Sequence, residues 1–297
     1  MELRRAAFGD RPDAEVWGGL RGGPEERWLA AVVLGGQGHY AAAATALGEL
    51  IAAGGLFGSL AASTLASHRR QLGGHAAARR LDAVALARAP RGGGVDVDGV
   101  DAAGARTDAL LGLAADALGA GRLVEARRLH ARVEPVGWRA RVRHAWVAAE
   151  VELAAGHAER AVAPAETAAS LAREAGALRH TLKSDLVLGT ALVVVGTPES
   201  VDRGTRMLHC DLTHTDRMGL LSLSWPAALV LANVQVDRTS AENWNVRKSA
   251  KSALSCVLRR ADPISRRLAA HSPWVPTSLL RSGEPPNADA ETKFLTD

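Results

Sequence analysis

The sequence predicts an all-α protein: an α-solenoid of about six antiparallel helix hairpins over residues 25–271. An irregular arm at 1–24 precedes it, and an extended or disordered tail at 272–297 follows. Three observations predict this. A glycine recurs at 38, 74, 121, 156 and 196, in steps of 36, 47, 35 and 40 residues (74−38, 121−74, 156−121, 196−156). A period in that range is the signature of stacked helical hairpins. The glycines also share a context: Gly156 has Trp146 ten positions before it, Ala149 seven before and Ala161 five after. Gly38 has Trp28, Ala31 and Ala43 at those offsets, and Gly121 has Leu111, Ala114 and Ala126. Finally, hydrophobic residues make up 47% of the chain but aromatics only 4%. The core is therefore Ala, Leu and Val, which suits closely approaching helices rather than a large sheet.

The pattern has a mechanism. A small residue lets two backbones come close, and a glycine ends a helix in the left-handed conformation at little cost. The later alanine sits where the second helix crosses the first. One hairpin cannot bury both of its apolar sides, so hairpins must stack.

In chain order, residues 1–24 are rich in Gly and Pro, and Trp17 is expected to pin this arm onto the first hairpin. Hairpins follow at 25–53 and 57–89, then a loop at 90–104, PRGGGVDVDGVDAAG, which supplies most of the 47-residue step. The next three hairpins are 105–133, 138–175 and 177–215. In the last, Thr197-Pro198 reads as an N-cap with proline at the first helical position. Helices at 217–236 and 241–260 make a sixth, atypical hairpin, with Gln235 where its glycine would stand. Pro164 falls inside the second helix of the fourth hairpin, where proline removes a hydrogen bond and costs about 3 kcal/mol. A kink or a separate first turn is expected there. After Arg267 the chain is expected to turn irregular, with Trp274 as a lid on the last helix.

Gly38-His39-Tyr40 followed by Ala43 resembles the tetratricopeptide repeat, whose motif places a large then a small residue in the first helix, then Gly-x-Tyr, then Ala. The chain is similar to that family, with degenerate repeats, over roughly 25–260. The resemblance implies a superhelical surface that binds a protein or peptide.

Candidate chemistry is sparse. Val32-Val33-Leu34 followed by Gly35-Gly36-Gln37-Gly38-His39-Tyr40-Ala41 matches a dinucleotide fingerprint, but that motif needs a preceding strand and a later acid, and 51–67 contains none. Asp96, Asp98 and Asp101 resemble a calcium loop with a misplaced glycine; a flexible acidic loop is expected. His209, Cys210, Asp211, His214 and Asp216 form the densest set of possible metal ligands. Cys210 and His214 share a helix face, and two ligands make no site. No catalytic residue, cofactor or metal is expected.

The formal net charge of +4 is mild and demands no nucleic acid. Arginines cluster between 122 and 143. Arg128 and Arg132 share one helix face, and Arg139 and Arg143 another. With His144 they are the candidate lining of a partner groove, since arginine grips carboxylate or phosphate with forked hydrogen bonds. Few aromatics interleave them, so base stacking is poorly served and an acidic protein or peptide is expected ahead of nucleic acid. No membrane partner is expected: the two uncharged stretches, 28–48 and 218–236, are broken by Gly, Pro and polar residues. Two cysteines suit a reducing cytoplasm. The expected function is thus a cytoplasmic, non-enzymatic scaffold or adaptor. A regulatory or sensing module in transcription control, or nucleic-acid binding through the arginine clusters, is the alternative.

Overall fold

A computed structural model describes residues 2–234 and 241–280. Every regular element among them is helical. After α1 (Glu2–Phe8), the chain runs through α2 (Pro24–Gly36), α3 (Tyr40–Ala53), α4 (Gly55–Gln71), α5 (His75–Arg88), α6 (Ala102–Gly119) and α7 (Leu123–His130). It continues through α8 (Gly137–Ala154), α9 (Ala158–Glu174), α10 (Leu178–Val195), α11 (Pro198–Arg217), α12 (Leu221–Val234), α13 (Ala241–Arg259) and α14 (Pro263–Ala270). The 32–34 segment lies inside α2, so the strand required by the dinucleotide fingerprint is not there.

Each helix packs on its neighbour in the chain from α1·α2 through α12·α13. The turns inside the first five hairpins are made by glycines in the left-handed region: Gly38, Gly73, Gly121, Gly156 and Gly196, with φ from 73° to 83°. In the second hairpin the turn glycine is therefore Gly73, one residue before the expected Gly74, which takes φ −85° as the N-cap of α5. The shift restores the pattern. Counted from Gly73, the small positions are Ala66 and Ala78, both fully buried, as are Ala31, Ala43, Ala114, Ala126, Ala149 and Ala161. Thr197 caps α11 through Ser200 N at 3.3 Å, with Pro198 at the first position. Gln235 lies outside the described residues, as does 281–297 of the expected tail; the described part of that tail is not extended throughout, since Thr277–Leu280 forms a 3-10 helix.

The even-numbered helices also pack on one another: α2 on α4, α4 on α6, α6 on α8, α8 on α10, α10 on α12, and α12 back on α2. The stack thus closes on itself. Ser222 Oγ donates to Gly36 O at 2.9 Å, and Ala41 N donates to Arg260 O at 2.8 Å. Arg69 pairs with Asp262 at 2.6 Å. One apolar cluster takes Tyr40 and Leu72 from the first two hairpins together with Trp225, Leu254 and Val257 from the sixth.

Several expectations need correction. The arm is not all irregular: α1 buries Ala6, Ala7 and Phe8, because Phe8 lies 5.8 Å from the Trp28 ring and Gly9 O accepts from Leu178 N at 3.0 Å. Trp17 does touch the first hairpin, edge-on to His39 at 5.0 Å, but stays 42% exposed. The chain does not turn irregular at Arg267, since Asp262 accepts from Ile264 N and Ser265 N and so caps α14 through Ala270. Trp274 sits edge-on to His75 of α5, 6.2 Å away, and stays 60% exposed. Pro164 is accommodated within a single helix, α9, so no separate first turn forms. No helix among the described residues is long and apolar enough to cross a membrane.

Arg69 is 6% exposed, so removing its carboxylate strands a buried charge. Asp262→Asn is expected to lower unfolding free energy by roughly 3 kcal/mol in urea titrations. An unchanged midpoint would mean that this pair does not hold the two ends together.

Candidate functional site

The ring of even-numbered helices surrounds a cavity of about 390 Å³. The repeat aims residues into it. The position ten before each turn glycine is Trp28, Ser63, Leu111, Trp146 and Leu186, and Trp225 stands ten before Gln235; all six line the cavity. Trp28 Nε1 donates to Thr64 Oγ1 at 3.0 Å, and Trp146 Nε1 to Ser184 Oγ at 2.8 Å, so neither indole donor is left bare.

The wall is strongly cationic. Arg70, Arg139, Arg143, Arg179 and Lys183 line the cavity with two carboxylates, Asp108 and Glu150. Lys183 pairs with Glu150 at 3.2 Å. Arg70 is held from behind by Asp116 at 2.8 Å and by Asp82. Burial, with repulsion from Asp116, pushes the Asp82 carboxyl well up against the pull of Arg70. Asp108 serves two arginines, Arg139 Nη1 at 2.8 Å and Arg143 Nε at 3.2 Å. Burial pushes the Arg143 guanidinium down, Arg139 and Arg70 add to this, and Asp108 opposes it. Arg179 has no ion pair or hydrogen bond among the described residues, and its Nε is buried.

Three histidines face the same space, and all are held neutral. Burial, then the charges of Arg179 and Arg69, push His68 down to about 3. Burial and Arg179 hold His180 well below its usual value; burial and Arg70 lower His75. The Nδ1 atoms of His68 and His180 are buried without a hydrogen-bond partner. His180 stacks on Trp146, ring centroids 5.6 Å apart.

The residues expected to share a groove do not lie together. Arg139 and Arg143 stand on α8 and face the cavity. Arg139 is a clamp: besides Asp108 it donates to Asp98 O at 2.6 Å and Gly99 O at 3.0 Å, and lies 5.4 Å over the Phe8 ring. Arg128 on α7 and Arg132 just beyond it are exposed, outside the cavity. His144 stacks on His130 at 3.8 Å and does not line the cavity. The helical phase changes between α7 and α8, so one run of sequence feeds two surfaces.

The Asp96 loop is not loose acid. Asp96 Oδ1 accepts from Asp98 N and Val100 N, Asp101 caps α6 through Gly104 N at 2.7 Å, and Arg4 bridges Asp96 and Asp98. The chain's own donors fill the place a cation would need. The His209–Asp216 cluster divides similarly. Cys210 is exposed and His214 half-buried, 3.5 Å apart, Asp216 accepts from Ser224 and Ser249, and Asp211 turns inward, 2% exposed.

The sequence reading missed Arg179, His68, His180, Arg70 and Lys183. A signal for two of them was present: Arg139 and Arg179 both stand seventeen before their turn glycine (156−139, 196−179), and Arg143 and Lys183 both thirteen before (156−143, 196−183).

Arg139→Ala is expected to cost about 3 kcal/mol in chemical denaturation, because it strips Asp108 and two loop carbonyls. Arg128→Ala should stay within about 0.5 kcal/mol of wild type. Asp211 gives a pH test. Burial and Asp185 push its carboxyl up to about 8, against the pull of Lys183. The folded state then keeps a proton that the unfolded chain releases near pH 4, so this group makes stability fall as pH rises from about 4 to 8, by up to about 1.4 kcal/mol per pH unit. Asp211→Asn should flatten that slope in urea titrations; an identical slope in the variant contradicts the assignment.

Neither the protein-family models nor the curated proteins compared with this chain match it.

Proposed function

We propose that this protein is a ligand-binding regulatory or sensing module: a tetratricopeptide-like α-solenoid, closed into a ring, that takes its ligand inside rather than along an open concave face. The observation that carries this is convergence. Six helices from six hairpins each send the same repeat position, from Trp28 to Trp225, into one cavity. Its volume falls in the range of small-molecule sites, about 300–1,000 Å³, and is too small for a folded partner. The repeat assignment is supported by the alternation of inner and outer helices and by left-handed glycines at equivalent turns. Binding of this kind suits a receptor, in which the occupant ties together hairpins far apart in sequence. The free thiols of Cys210 and Cys256 fit the cytoplasm as its place of action.

A second reading, an adaptor for an acidic protein partner, rests on Arg128 and Arg132. Both are exposed and have no ion pair among the described residues. Their removal would weaken such a partner without touching the cavity.

The cavity reading is tested with an uncharged fluorophore, N-phenylnaphthylamine, and a variant that fills the space. Ala115 lines the cavity without being fully buried. The wild-type protein is expected to bind the probe with enhanced emission. Ala115→Trp should abolish the enhancement while circular dichroism stays helical. No binding by the wild type, or binding unchanged in the filled variant, would contradict the proposal.

A further inference from the structure

The repeat contains an internal control for Arg179. Arg139 occupies the equivalent place one hairpin earlier, and its charge is met by Asp108, which stands thirteen before Gly121 (121−108) on the preceding inner helix. Stepping that relation forward by one hairpin gives the residue that should meet Arg179. It stands thirteen before Gly156, and it is Arg143. The register that supplies a carboxylate to one arginine supplies a second guanidinium to the other. The two repel each other, and burial lowers both.

The neighbours of Arg179 do not repair this. His68 and His180 are neutral, and Tyr40 keeps its proton, its hydroxyl bonded to Gln71 at 2.5 Å. Gly36 gives Arg179 room: a Cβ there would lie 2.8 Å from Arg179 Nε. Asp108 already serves two arginines, and Glu150 is taken by Lys183. Arg179 is half-buried with its Nε shut off from water, and a cation drawn from water without a counter-charge is costly. A folded chain that keeps one beside a second, half-neutralised arginine has left a place for an anion brought from outside.

We infer that the cavity binds a small organic anion, its carboxylate or phosphate head held between Arg179 and Arg143 and its apolar body against Trp146 and Trp225. This deepens the proposed function and rests on the cavity being a ligand site. The forked donors of arginine suit either oxyanion head. The indoles of Trp146 and Trp225 line the cavity and supply apolar surface, and the imidazoles of His68 and His180 line it without adding positive charge. The size limit favours a free small molecule over an extended acidic peptide.

The test is thermal unfolding of the full chain with sodium phosphate, benzoate and the uncharged isostere benzamide, at fixed ionic strength. Phosphate or benzoate is expected to raise Tm with the logarithm of its concentration, and the more effective of the two names the head group; benzamide should give a far smaller rise. Arg179→Met should weaken the effective anion by about tenfold or more and raise Tm in its absence, because it removes an unpaired, half-buried charge. Arg179→Lys should keep the charge and lose most of the affinity. Three results would each overturn the inference: no anion-dependent rise in the wild type, an equal rise in Arg179→Met, or a marked fall in the unliganded Tm of that variant. If the uncharged fluorophore still binds and is still displaced by Ala115→Trp, only the anion is lost and the ligand-binding reading stands.

Discussion

A stack of helix hairpins has two ends, and each end is an apolar face with no neighbour. Repeat proteins usually meet this constraint with polar capping hairpins. Here the two ends cover each other. Tyr40 and Leu72 from the start of the chain share a dry cluster with Trp225, Leu254 and Val257 from its far end. Polar bonds fix the contact, from Ser222 to Gly36, Ala41 to Arg260 and Arg69 to Asp262. The N-terminal arm contributes as well, with Phe8 wedged against Trp28 and His180. Once the ends meet, side chains of all the inner helices line one central cavity.

That enclosure changes what the charges mean. On an exposed helix face, Arg143 and Arg179 would be solvated and energetically indifferent. Inside the ring each cation needs a partner, and the protein supplies partners unevenly. Arg139 and Arg70 are tied down by aspartates and backbone carbonyls and hold the architecture; Arg179 is not tied to anything described. The histidines around it, kept neutral by burial and nearby positive charge, do not add to the repulsion. The pairing of cations is therefore uneven within one basic cavity, and the repeat register sets which of them are paired.

Much of the fold was legible because its signals are local. A left-handed turn selects glycine, and a close helix crossing selects alanine, so Gly38, Gly121, Gly156, Ala31 and Ala161 stand out in the sequence. The same logic accounts for the glycine-rich run near 35–38. Gly35 leaves space for the His68 ring, Gly36 for Arg179, and Gly38 takes φ 83°. Three neighbouring glycines with three different tasks imitate a nucleotide motif. Closure was not legible, because it depends on contacts such as Ser222 to Gly36, 186 residues apart, and no local pattern encodes the curvature that brings them together. The arm failed for a related reason: α1 has 7 residues, too short to hold a helix without tertiary packing. The arginine groove failed because α7 and α8 point their basic faces in different directions, which a linear count of charges does not reveal.

Amide hydrogen exchange at Ala41 tests ring closure most directly. This N–H lies in the first turn of α3, where a helix offers no internal acceptor, and its partner is Arg260 O from the opposite end of the stack at 2.8 Å. If the ends are joined, Ala41 exchanges as slowly as amides in the middle of α3, and only through opening of the ring. Exchange at the rate of an unstructured chain, with the rest of α3 protected, would show a stack whose ends do not meet.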